Sequence, residues 1–174
     1  MAPIMHDRTM NAPERTAWVC EQARAIGFDL CGVATVAPAT SDSAPRSSFD
    51  GTFEELAYLP EWLARGYAGE MNYLRDPRRA DPRLVLDGAQ SLIVVALNYN
   101  SPSAYSTEVP VTHADGSPRG WISRYAWGDD YHEVLREKLD ALVAAMSAQF
   151  AGTFEARAYV DTGPIVERVA AKYA

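Results

Sequence analysis

Apolar and polar residues along the chain follow two periods, and the switches between them mark out its elements. Trp18, Val19, Ala23 and Ile26 recur at helical spacing. Asn11-Ala-Pro-Glu14 just before them has a capping-box pattern, and Gly27 is a natural residue to end the helix. Phe28 to Val36 then reads as a strand, with Phe28 and Leu30 on one face until Gly32 interrupts the alternation. A short helix is predicted over Pro60 to Arg65, with Pro60 in its first turn and Gly66 beyond its end. A turn or two of helix follows around Met71 to Leu74.

Ser91 to Tyr99 is the clearest strand, β-branched and apolar enough for the middle of a sheet. Trp121 to Ala126 reads as a third strand and Glu155 to Val160 as a fourth. Between these two, Asp130-Tyr-His-Glu133 opens the longest helix. Its apolar stripe is Leu135, Leu139, Leu142, Val143, Met146 and Phe150. A last helix is expected from Pro164, capped by Thr162 or Gly163 and still running at Ala174.

Residues 1–10 read as a flexible leader and 11–174 as one domain. Two polar loops interrupt the pattern, at 37–48 and 100–119, and loops of the second length often cover a site. Helices interleaved with about four strands predict an α/β or α+β sandwich. The last helix has no stop signal, so the sheet and pocket are expected to be incomplete at the C-terminus.

Composition narrows the classes. The 174 residues are 48% hydrophobic and 22% charged, which suits one folded core and argues against disorder. No apolar run approaches the ~18 residues of a membrane span, and residues 1–8 have no signal-peptide core. The expected compartment is therefore the cytoplasm, with no membrane partner. Cys20 and Cys31, the two cysteines, read as small buried hydrophobes; without C-x-x-C the chain has no iron–sulfur ligand run. A net charge of −7 argues against a general nucleic-acid coat but leaves room for a local basic patch. Neither G-x-G-x-x-G nor a P-loop is present, so a Rossmann or P-loop nucleotide site has little support.

Three segments carry candidate chemistry. In Val160-Asp-Thr-Gly-Pro-Ile-Val-Glu-Arg168, Asp161 stands where a strand hands over to a helix. It either caps that helix or serves as an acid. The helix N-terminus favours its anion, and burial against an apolar ligand favours the neutral acid. For proton donation near neutral pH, burial must win. One face of the helix offers Glu167, with Arg168 about a quarter turn away.

In Ser123-Arg-Tyr-Ala-Trp-Gly-Asp-Asp-Tyr-His132, aromatics, Arg124 and His132 crowd the entry to the long helix. Asp130-x-His132 starts like a cobalt-ligating D-x-H-x-x-G pattern, but Leu135 occupies the glycine position, so His132 reads as a first-turn helix residue. In Gly69 to Arg83, alternating arginines and prolines form a rigid basic loop suited to phosphate.

Four pieces in register resemble the N-terminal part of epoxyqueuosine reductases. They are Gly69-Glu-Met-x-Tyr73, Arg79-x-Asp-Pro-Arg83 leading into Leu92–Leu97, Arg124-Tyr-Ala-x-Gly-x-Asp-Tyr-His132, and Val160-Asp-Thr-Gly-Pro-x-x-Glu-Arg168. The similarity runs over roughly residues 12 to 174. It implies a nitroreductase-like α+β cobalamin-binding domain around a central mixed sheet of about four or more strands, with two [4Fe–4S] clusters on a later domain whose cysteines this chain lacks. It also implies reduction of the epoxide of epoxyqueuosine in a tRNA anticodon loop. Asp161 is then the general acid over the cobalt face. Arg79, Ser123 and Arg124 contact the cobalamin, and Arg168 belongs to the substrate side. Trp127 and Asp129 stand where that family more often has basic residues. The 174 residues alone are expected to bind cobalamin weakly and not to turn over. The rival readings are a non-catalytic cobalamin carrier, a flavin-binding nitroreductase-like enzyme and a relative acting on a non-RNA substrate.

Overall fold

The structure, a computed structural model, describes residues 10–36, 53–150 and 154–174. The expected leader and the 37–48 loop lie outside them, save Met10.

Helix α1 (Ala12–Ile26) begins as its sequence demands. The Asn11 side chain accepts the Glu14 N–H at 3.0 Å, and the Glu14 carboxylate accepts the Asn11 N–H at 2.9 Å. These reciprocal bonds satisfy amides that the first turn leaves unpaired. Gly27 ends the helix at φ 98°, a left-handed conformation that costs an L side chain energy. Lys138 completes this end by donating to the Ile26 carbonyl at 2.8 Å.

Strands β1 (Leu30–Thr35) and β2 (Ser91–Ala96) pair antiparallel, Leu30 opposite Ala96 and Thr35 opposite Ser91. Alternation sends Cys31, Ile93 and Val95 to one face and Ala34 and Leu92 to the other. The first face is covered by α1 and by α3 (Tyr131–Gln149), which bury Val19, Ala23, Leu142 and Met146 with Phe28. Trp18 meets Phe150 edge-on at 5.1 Å on the rim of this core. The second face is covered by Phe53, Leu56 and Val166 and, from α4 (Glu167–Tyr173), by Val169. A further short helix, α2 (Leu59–Ala64), leads into the basic loop. At Gly32 a side chain would lie 2.5 Å from the backbone of Ala174, so this glycine lets the end of α4 seat on β1.

The architecture is mixed helix and strand, as expected, but the sheet among the described residues has two strands where four were predicted. Residues 121–126 close local turns through Ala126 N–H to the Ser123 carbonyl and Trp127 N–H to the Arg124 carbonyl, both 3.0 Å. Ile122 is left 69% exposed. Residues 155–160 have no ladder partner, and the Ala158 carbonyl is taken by Arg136 at 3.2 Å. Phe28 and Leu30 do not share a buried face, since the strand starts at Leu30, which is 68% exposed while Phe28 is buried. The last helix begins at Glu167 instead of Pro164, because residues 161–165 are held as a series of bends.

Candidate active site

The bends at 161–165 place Asp161 on the surface with φ 53°, the one non-glycine residue at positive φ among the described residues. Such a conformation persists only where its surroundings hold it. Three neighbours stand around it. The Tyr131 hydroxyl, from the first turn of α3, donates to the Asp161 carboxylate. Glu167, at the start of α4, lies close enough to Asp161 for the two carboxyl groups to interact electrostatically. Two residues on, Gly163 is buried under the Tyr159 ring, where an added side chain would lie 2.6 Å from Cγ.

This cluster has its own electrostatics. The hydrogen bond to Asp161 pushes the Tyr131 hydroxyl up to about 12, so it stays a donor at any physiological pH. Desolvation, and then the neighbouring Asp161 charge, raise the Glu167 carboxyl above the usual carboxylate range, with Arg79 opposing. Asp161 and Tyr131 thus form one hydrogen-bonded pair, with a second carboxyl group beside it whose proton is held more firmly than usual.

Arg79 ties the basic loop to this unit. It donates to the Tyr73 carbonyl at 3.0 Å and the Gly163 carbonyl at 3.5 Å, and it lies 5.0 Å from the centre of the Tyr73 ring. The neighbouring arginines behave differently. Asp76-Pro77 and Asp81-Pro82 each open a 3₁₀ turn whose Asp accepts the N–H two residues on. The same Asp pairs with the guanidinium of that residue, Arg78 at 2.7 Å and Arg83 at 2.8 Å. Two of the arginines expected to meet phosphate are therefore already partnered within their own turns.

Ser123 precedes the turn at Arg124–Ala126 and is exposed, with no capping bond from its hydroxyl. Arg124 is drawn inward. It donates to Asn100 and to the Ser101 carbonyl at 3.0 Å, and stacks 4.1 Å from the Tyr105 ring centre. It fastens the 100–105 stretch to the segment leading into α3. Arg168 is exposed on the first turn of α4. His132 stays within the first turn of α3, its ring 2.8 Å from the Asp130 cap.

The aromatic residues form a row that leads to Asp161. Tyr99 meets Tyr125 edge-on at 6.4 Å, and Tyr125 meets Tyr131 at 5.8 Å. Tyr99 and Tyr125 are 66% and 50% exposed. Exposed rings beside an exposed carboxyl and a hydroxyl without a capping bond suit a broad, flat ligand with a polar rim. Sequence reasoning did not single out Tyr131, which the adjacent His132 overshadowed. Glu167 was noticed, but six residues from Asp161 is no helical spacing, and only the bends bring the two together.

Fold and site together define a mixed helix-and-strand domain with a hydrogen-bonded tyrosine and aspartate exposed just before its last helix. The family model described as Epoxyqueuosine reductase QueG, DUF1730 matches residues 79–162. An epoxyqueuosine reductase of Gloeobacter violaceus is 40% identical over 158 residues, covering 91% of this chain and 43% of the relative. One of Synechocystis sp. is 42% identical over 122 residues, or 70% of this chain and 39% of the relative. A crystal structure of epoxyqueuosine reductase with an epoxyqueuosine-modified tRNA-Tyr stem loop superposes with TM-score 0.66 at 28% identity, covering 92% of this chain and 38% of that one. A structure from Bacillus subtilis, with its catalytic aspartate loop swung out of the active site, gives TM-score 0.63 at 26% identity. The chain belongs to the epoxyqueuosine reductase family, and it spans about two-fifths of the length of these relatives.

Proposed function

We propose that this chain is the cobalamin-binding part of an epoxyqueuosine reductase, acting in the cytoplasm on a tRNA anticodon loop, with Asp161 as proton donor. The observation that carries the reading is the placement of Asp161: exposed, in a left-handed turn, hydrogen-bonded by Tyr131 and bordered by the Tyr99–Tyr125 row. The tRNA stem loop bound by the structural relative supports the substrate class.

The residues present fit a corrinoid. Its flat face matches the exposed aromatic margin, and Ser123 and the fixed Arg79 offer polar contacts for its amides and nucleotide tail. Arg124 contributes through the loop it fastens. Bound cobalamin supplies electrons for breaking the epoxide C–O bond, and in the family two [4Fe–4S] clusters feed it. The chain's own part is the proton. An epoxide oxygen leaves readily only when protonated as its bond breaks, and an acid within ~3 Å typically contributes ~10²–10⁴-fold. Asp161 has the exposure to reach such an oxygen, and Tyr131 steadies its carboxyl group. Arg168, exposed nearby on α4, is the substrate-side cation.

The test is a titration of the purified chain with cob(II)alamin, followed by its visible spectrum. Saturable shifts of the corrin bands support the reading. A yellow protein with flavin absorbance, or a titration without shifts, overturns it.

A further inference from the structure

Trp121 and Trp127 stand either side of the turn at Arg124–Ala126 with their indoles near-parallel, 22° between planes and 6.4 Å between centres. Neither ring serves the core. They are 41% and 37% exposed, and neither packs against the two buried clusters of the described residues. Yet Trp127 is fixed. Its Nε1–H donates to the Ile122 carbonyl at 2.9 Å, and the Arg124 guanidinium lies 5.8 Å from its ring centre. Arg124 is itself tied to the Asn100 side chain and to the Ser101 and Ser103 carbonyls. A large ring that is both held and left open is pre-organised for a flat partner, since binding immobilises little further.

The surroundings say which partner. The inference rests on the function proposed above, in which a nucleotide of an RNA loop is bound at Asp161. Trp127 lies four residues before Tyr131, whose hydroxyl donates to Asp161. Four residues of chain span at most ~14 Å, so nucleotides flanking the one at Asp161 come within reach of the indole. In an RNA loop these offer unpaired base faces and phosphates. Phosphate is disfavoured here, because the exposed Asp129 and Asp130 follow Trp127, and Arg124 directs its donors to the 100–103 stretch. A base face carries no charge and stacks on an indole.

We propose that Trp127, backed by Trp121, is a stacking platform for an unpaired base of the RNA loop, beside the base on which Asp161 acts. Stacking tolerates any base, so the platform holds the loop in register without reading sequence at that position. It binds substrate and takes no part in the proton transfer.

The test uses the protein at the full length of its relatives and an epoxyqueuosine stem loop. Binding is measured by fluorescence anisotropy for the native protein, W127A and W127F. Each is tried on the intact loop and on loops with an abasic nucleotide at each unpaired position in turn. W127A should weaken binding of the intact loop roughly fivefold to a hundredfold, the range of one base–aromatic stack, and W127F should restore most of it. One abasic position should weaken native binding by a similar factor and W127A no further, which ties the indole to that base whatever the variant does to the fold. The slope of log Kd against log salt should be unchanged in W127A, since no phosphate contact is lost. Cobalamin affinity should stay at its native value.

Equal binding of the intact loop by W127A and the native protein overturns the platform. So does a W127A loss that adds in full to every abasic loss, or one that falls on cobalamin affinity instead and so sets the indole against the corrinoid. A native protein that does not bind the stem loop overturns the proposed function itself, and the platform with it.

Discussion

Gly163→Ala puts a single methyl group where the structure has no room for it. Gly163 has an ordinary negative φ, so the alanine backbone carries no conformational penalty. The obstacle is the Tyr159 ring, with Cγ, Cβ and Cδ1 at 2.6, 2.7 and 2.9 Å from the added carbon. All three lie inside the separation that real side chains tolerate, and two of them belong to the stem and ring base, which cannot swing aside cheaply. Overpacking of this kind costs about 1–3 kcal/mol. Tyr159→Gly removes all three atoms, and the double variant should recover most of that loss. Urea denaturation of the four proteins gives the coupling energy, expected at about 1 kcal/mol or more. The same variants report on function, because a displaced 161–165 turn pulls Asp161 from Tyr131. G163A should therefore lower the Tyr131 hydroxyl from about 12 toward its ordinary value, read by ultraviolet titration. Additive effects of the two substitutions, or an unchanged Tyr131 titration, would refute the reasoning.

Other outcomes follow from the packing and charges. Leu142→Ala, at a 2% exposed position between the two long helices, should cost about 2–5 kcal/mol in urea melts. Acid should weaken the fold. Asp76 is held below its usual range by the Arg78 side chain, Asp130 by the His132 N–H and Glu55 by Lys172. Carboxyls lowered in the folded state stabilise it above their unfolded pKa, about 3.9–4.3, and that contribution is lost as pH falls through the folded values. Melting temperature should thus drop between pH 5 and 2, less steeply in D76N/D130N. Burial, then the hydrogen bond its thiol shares with Cys20, push Cys31 up to about 12, so Cys31 should resist iodoacetamide at pH 8 until the chain is unfolded.

Local rules were the most legible part of the sequence. Asn11, Glu14, Gly27 and Asp130 each do in the structure what their chemistry predicts, because a cap is decided within four residues. The two real strands were found because β1 and β2 are apolar on both faces and have covered sheet positions to fill. Residues 121–126 and 155–160 have similar composition but no ladder partner, and pairing is a long-range property that composition does not reveal.

The site divides in the same way. Asp161 stood out because it opens a Gly-Pro turn before a helix, and the resemblance gave it a role. Its partners were harder to foresee. Tyr131 lies thirty residues earlier, and Glu167 reaches Asp161 only through bends that no periodicity encodes. The basic loop misled in another way: each Asp-Pro turn neutralises its own arginine, so counting positive charges overstated what Arg78 and Arg83 have to offer.

The central claim, that Asp161 is the proton donor of an epoxide reduction, is tested most directly by one comparison. The native protein and D161N, each at the full length of the epoxyqueuosine reductase relatives, are loaded with reduced cobalamin and given an equimolar epoxyqueuosine stem loop. The queuosine formed in one turnover is then measured by mass spectrometry. The account predicts conversion by the native protein and a loss of ~10²-fold or more in D161N, with cobalamin bound equally by both. Equal conversion by both would contradict Asp161 as donor, and tight binding without conversion by either would make this chain a cobalamin carrier.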